Sequence, residues 1–138
     1  MAEFSKVGLL VLDDSGRFLM CRKDRDTSLL ILPGGRIEDG ETDLECLDRE
    51  LKEELGQVTC RNAEWVGCYT AFAHNDDPRI RNTLEIRLYR GELEGNPIPC
   101  GEIRELIWFG EDSPAELLTP IFTDHILPDL RKRKILSW

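Results

Sequence analysis

Residues 42–56, TDLECLDRELKEELG, restrict the fold more than any other stretch of the chain. Thr42 and Glu45 have the spacing of a capping box, in which each side chain satisfies the other's backbone N–H at a helix start. Leu44, Leu47, Leu51 and Leu55 recur at helical intervals, and Gly56 stands where a C-terminal cap belongs. A helix over about residues 42–55 follows, with one apolar face that needs a partner layer. Just ahead, LLILPGG reads as a short buried strand halted by Pro33, Gly34 and Gly35. Strand, glycine loop and helix are therefore joined within a few residues.

The rest of the chain supplies mostly strands. Two apolar runs around Asp13-Asp14-Ser15-Gly16 predict a β-hairpin over residues 4–13 and 17–23. Strand-like segments follow near 57–62, 65–73, 82–93 and 104–109, with a loop at HNDDPRIRN. Ser113-Pro114 and Thr119-Pro120 each open a short helix, the second with Phe122, Ile126 and Leu130 on one face and interrupted by Pro128. This order implies an α/β fold, a mixed β-sheet covered by helices. With 138 residues, it is expected to form a single domain, 1–138.

Five cysteines form no CxxC pair, so they are expected to be reduced and mostly small core residues. No apolar run approaches a membrane span, and the first residues lack a leader pattern, so the expected location is cytoplasmic, with no membrane partner. A net charge of −9 argues against nucleic acid as a partner. The basic RKRK at 131–134 is read as a helix end complemented by its dipole.

That negative charge is concentrated. Residues 33–56 hold nine acids against three bases, six of the nine net charges. At 100° per residue, Glu50, Glu53 and Glu54 share a narrow arc beside the leucine face. Such repulsion needs a positive partner. Arg49 and Lys52 could supply it on an ordinary solvated face, or the carboxylates could hold a hard divalent cation.

The flanking residues narrow the choice. Gly35, Glu41, Arg49-Glu50-Leu51, Glu53-Glu54 and Gly56 resemble the Nudix box, Gx5Ex7REUxEExGU with U aliphatic. The last position departs: Gln57 stands there and Val58 follows. The resemblance implies the Nudix fold, an α/β/α sandwich around a mixed β-sheet, in a MutT-like pyrophosphohydrolase. Its cofactor would be Mg2+, with Mn2+ possible, and its partner a small nucleoside-diphosphate-type substrate. Glu50, Glu53 and Glu54 would be metal ligands, with one of them or a loop glutamate acting as base. The Gly35 carbonyl is a further candidate ligand, and Gly34 and Gly35 would permit unusual loop geometry. Glu41 and Arg49 would form a structural ion pair, while Glu38, Asp39, Asp43 and Asp48 need only solvent and the helix N-terminus.

A fourth acid is expected before a late strand, and Glu102 is preferred to Glu105, which falls inside it. Arg22, Lys23, Arg25, Arg79 and Arg81 are candidate phosphate contacts. Phe4, Tyr69, Phe72 and Trp108 are candidate base-stacking aromatics, and His74 lies in a candidate substrate loop. His125 is read as structural. A nucleotide-binding or sensor domain without hydrolysis is the competing reading, and an isoprenoid diphosphate isomerase a third. The sequence leaves the substrate and the oligomeric state open; small size favours a triphosphatase over an ADP-sugar hydrolase.

Overall fold

A computed structural model describes residues 4–23, 29–72 and 83–138. Arg25, His74, Arg79 and Arg81 lie outside these residues, as does the side chain of Phe4. The chain runs β1 (Phe4–Leu10), β2 (Phe18–Lys23), β3 (Leu30–Ile31), β4 (Gly34–Arg36), α1 (Asp43–Leu55), β5 (Thr59–Phe72), β6 (Thr83–Glu94) and β7 (Ile103–Phe109). A 3-10 turn (Ala115–Leu117), a π-helical turn (Phe122–Ile126) and α2 (Leu127–Lys132) complete it.

The sheet is mixed, as expected, and divided in two. One sheet has the order β4-β1-β6-β5, with β1 and β6 parallel and the other pairs antiparallel. The other has the order β3-β2-β7 and is antiparallel. The hairpin expected from residues 4–23 is thus paired only at its neck, where Leu12 bridges Phe18 and Leu19 N–H donates to Val11 O at 3.1 Å. Beyond that point β1 pairs with β4 and β6 and β2 with β3 and β7, so the two arms part into different sheets. The two segments expected near 57–62 and 65–73 are one strand, β5, with irregularities between Arg61 and Glu64 and between Trp65 and Gly67. Asn62, at φ 55, marks the first of them.

Alternation in the central strands feeds two cores. Val7, Leu9, Val11, Leu19 and Cys21 pack with Cys46, Leu47, Leu51 and Leu55 of α1. Leu10, Phe18 and Met20 face the other way, onto Phe122, Ile126, Leu127 and Leu130. Helices therefore cover both faces. Each fully buried leucine of α1 contributes about 2 kcal/mol of hydrophobic stabilisation. Leu44 does not join them; it is half exposed, and Cys46 takes the core position.

Local signals shape α1. Thr42 Oγ1 accepts from Glu45 N–H at 3.2 Å, and Glu45 Oε1 accepts from Thr42 N–H at 3.0 Å, which completes the capping box. Gly56 ends the helix at φ 82, Gln57 is exposed, and Val58 turns into the core. The slip at the last position of the box thus moves the aliphatic residue by one place without leaving the core open. At the other end of the chain, Pro128 has no N–H to offer the carbonyl four residues back, and the preceding turn is widened, with Leu127 N–H donating to Phe122 O.

Among the described residues no helix is long and apolar enough to cross a membrane. All five cysteines are free; Cys21 and Cys46 are buried, but Cys68 is exposed, contrary to a general core role. His125 is exposed on the π-helical turn. In the basic tail, Arg133 Nη1 donates to Val66 O at 2.7 Å and Arg131 lies over the Trp138 ring, so these two side chains fix the end of α2.

Candidate active site

The strand, loop and helix at 30–55 bring backbone and carboxylates together. Gly34 has φ 134, and a Cβ there would lie 2.0 Å from Val7 O, so only glycine lets β4 approach β1 this closely. Gly35 has a different reason. Its φ is not positive, but a Cβ would sit 2.4 Å from the Glu50 carboxyl carbon, so its missing side chain makes room for that carboxylate. The expectation of unusual geometry thus applies to Gly34, and at Gly35 it gives way to a requirement for space.

Arg49 organises the helix end of this loop. Its Nε and Nη2 donate to the two oxygens of Glu41 at 2.7 and 2.9 Å, and Nη2 also donates to Arg36 O at 3.1 Å. The bidentate pair holds the Glu41 carboxyl down to a pKa of about 2, the Arg49 hydrogen bonds being the main cause and the Glu38 N–H the next. Nη1 of the same guanidinium donates to Glu50 Oε1 at 2.9 Å and lies 3.6 Å from Glu53 and 3.8 Å from Glu38. Loop and helix are therefore tied through one cation.

Asp43 is more than a solvated N-terminal charge. Arg87 Nε and Tyr89 Oη both donate to its Oδ2 at 2.7 Å, which pins the first turn of α1 to β6. Asp48 pairs with Lys52 at 2.6 Å on the exposed face.

Glu54 differs from its neighbours. It is the single charged residue buried among the described residues, at 8% exposure, and its Oε1 accepts from Gly34 N–H at 2.9 Å. Burial pushes its pKa up to about 7; the Gly34 hydrogen bond opposes this, the nearby Glu50 adds to it, and Lys23 and Lys6 oppose it. Glu53, in contrast, is 61% exposed on the adjacent helical position.

The loop before β7 is brought to the same place by the end of α1. Cys100 N–H donates to Glu54 O at 2.9 Å and Ile98 N–H to Leu55 O at 3.0 Å, which satisfies two of the helix's last carbonyls. Glu102 follows at once, exposed, with an oxygen 3.9 Å from Lys23 Nζ. Glu105 lies within β7 and accepts from Arg22 Nε at 2.9 Å.

Glu50, Glu53, Glu54 and Glu102 line one cavity of about 860 Å3, together with Gly34, Gly35, Lys6, Lys23 and Arg36. Leu30, Leu32, Leu84, Ile86, Ile121 and Phe122 form its apolar wall, and Phe72, 60% exposed, stands at its rim. Of the candidate phosphate contacts on described residues, Lys23 lines this cavity, whereas Arg22 lies against Glu105 outside it. Of the candidate aromatics, Phe72 is at the cavity; Tyr69 donates to Asp129 under α2 and Trp108 is half exposed on β7. Among the described residues, no three acidic, histidine or cysteine side chains stand close enough to hold an ion as they are placed. Arg49 draws on both Glu50 and Glu53, of which Glu53 is exposed.

A glycine-lined strand end, a braced carboxylate helix and a cavity between the two sheets form a recognisable frame, and a model of the NUDIX domain matches residues 3–130. The chain belongs to the NUDIX domain family.

Solved structures share its fold. The NUDIX hydrolase from Nitrosomonas europaea is 19% identical, with a TM-score of 0.75, covering 98% of this chain and 96% of that one. The MutT protein from Methanosarcina mazei Go1 is 20% identical, with a TM-score of 0.73 and 95% of each chain covered. The E. coli ORF135 protein is 22% identical, at a TM-score of 0.68 over 97% of this chain and 94% of that one. In sequence, a Mycobacterium tuberculosis protein named "Putative 8-oxo-dGTP diphosphatase 2" is 35% identical over 77 residues, 56% of this chain. The aligned region spans half the length of that relative.

Within this Nudix chain, two cavity cations were not singled out from sequence, Lys6 and Arg36. Lys6 left one signal, a lone lysine inside the strand FSKVGLL, but nothing local says which face of the strand opens into a cavity. The apolar wall is assembled from β3, β6 and the 119–122 segment, far apart in sequence.

Proposed function

We propose that the chain is a divalent-metal-dependent pyrophosphohydrolase acting on a nucleoside di- or triphosphate derivative. The observation that carries this reading is the cavity itself. Four carboxylates, three cations and an apolar wall with an aromatic rim line one space, which suits a substrate with a polyanionic end and a flat, apolar end.

The donor set fits a hard ion. Glu50, Glu53 and Glu54, with the Gly35 carbonyl and Glu102 as further oxygens, would hold Mg2+ or Mn2+. Glu54 in particular is buried with too little compensating charge, as its raised pKa records. When bound, the metal supplies neutralisation of phosphate charge and lowers the pKa of a bound water. The chain's own residues do the rest. One of the cavity carboxylates would accept a proton, and Gly34 N–H keeps one Glu54 oxygen oriented. Arg49, braced by Glu41, fixes the backbone of the loop and the position of Glu50. Lys23, on the cavity wall, would contact phosphate.

The relative named as an 8-oxo-dGTP diphosphatase supports a purine nucleoside triphosphate, oxidised or not, as the first substrate class to test. The test is incubation with a nucleotide panel and Mg2+ or Mn2+, with the products identified. A nucleoside monophosphate with pyrophosphate or phosphate supports the reading; binding without any such product under either metal refutes it in favour of a binding domain.

A further inference from the structure

The order of the larger sheet arranges the cavity laterally. In register across one face lie Arg36 of β4, Lys6 of β1, Ile86 of β6 and Tyr69 of β5. The neighbouring row is Gly34, Gly8, Leu88 and Gly67; Leu32 packs over Gly8, and Gly34 N–H meets the Glu54 carboxylate. The helix bearing the carboxylates approaches at β4, while Leu84, Ile86 and Phe72 stand on β6 and β5. Lys6 is the cation at the seam between them.

Its neighbours are already engaged. Glu50 accepts from Arg49, and Glu54 accepts from Gly34. Lys6 is half buried; its backbone belongs to the β1 ladder, and its ammonium has neither a hydrogen bond nor an ion pair with any described residue. Lys23 and Arg36 are near enough to repel it, while Glu50 and Glu54 attract it. An ammonium set among two cations and two carboxylates that already have donors is free to take an anion brought in by the substrate.

We propose that Lys6 binds the phosphate joined to the nucleoside, at the point where the polyphosphate on the carboxylate side gives way to the base on the apolar side. This rests on the nucleotide reading of the cavity. Lys6 is then a substrate contact on a phosphate that flanks the cleaved bond, so its loss lowers kcat/KM and also weakens the ground-state binding of the monophosphate product.

The experiment compares the wild-type protein with K6M and K6R, each checked by circular dichroism and thermal melting. In steady-state hydrolysis of the best substrate of the panel, K6M lowers kcat/KM and raises the inhibition constant of the nucleoside monophosphate product, each about tenfold or more. Inorganic pyrophosphate, which lacks the nucleoside-linked phosphate, inhibits K6M as well as wild type. K6R restores most of the monophosphate affinity by restoring the charge. Unchanged monophosphate inhibition in a folded K6M, or an equal loss for pyrophosphate, overturns the assignment. Should K6M not fold, K6Q replaces it with the same two outcomes. Should wild type cleave nothing, calorimetric titration with the monophosphate and Mg2+ reads Lys6 without turnover: a tenfold weakening supports Lys6 although the hydrolase reading has failed.

Discussion

Glu54→Gln on the metal-free protein isolates the stored charge of the site. The carboxyl has an ordinary pKa of 4.5 and a folded pKa of about 7, mainly because it is buried. A raised acid pKa means that the folded state holds the proton more tightly than the unfolded state. Below 4.5 both states are protonated and the group is neutral towards stability. Between 4.5 and 7 the unfolded chain ionises first, so stability falls as pH rises, and above about 7 the penalty is complete. The displacement corresponds to about 3 kcal/mol at pH 8, of which about 1 kcal/mol is already present at pH 5. Glutamine keeps the oxygen that accepts from Gly34 N–H and cannot ionise. Urea denaturation in EDTA should therefore show E54Q gaining about 2 kcal/mol on wild type between pH 5 and pH 8. The gain comes with loss of activity, as expected where function requires an unfavourable charge. A difference between E54Q and wild type that stays constant over this pH range would refute the account of Glu54 as an undercompensated buried acid.

Other predictions separate structure from chemistry. Gly35→Ala pushes a methyl group into the Glu50 carboxyl, 2.4 Å away, and that flexible side chain will yield. The melting temperature should move little while turnover falls about tenfold or more, because Glu50 is displaced from its place beside the loop. Thr42→Ala removes the capping box and should cost about 1 kcal/mol in chemical denaturation, with kcat preserved.

What could be read from the sequence was what is local. The capping box, the leucine spacing and the glycine cap of α1 act within a few residues, and helix and cap stand within one residue of expectation. The pairing of β1 is not legible in the sequence because its neighbours, β4 and β6, come later in the chain, while the Asp13–Gly16 turn suggests the nearest strand. The continuity of β5 is hidden for a related reason. The polar run Arg61–Glu64 looks like a turn, but it is an irregularity in a strand that continues to pair with β6. Asp43 could not be distinguished from its acidic neighbours until β6 placed Arg87 and Tyr89 beside it. Lys6 likewise acquires meaning only from the strands on either side.

The most direct test of the central claim compares wild type with Glu53→Gln in the presence of Mg2+ and a purine nucleoside triphosphate, with products separated by ion-exchange chromatography. The account predicts metal-dependent release of nucleoside monophosphate and pyrophosphate by wild type. E53Q, folded and equally stable because Glu53 is exposed, should be slower by about two orders of magnitude or more. Undiminished turnover by E53Q would contradict the assignment of the carboxylate site.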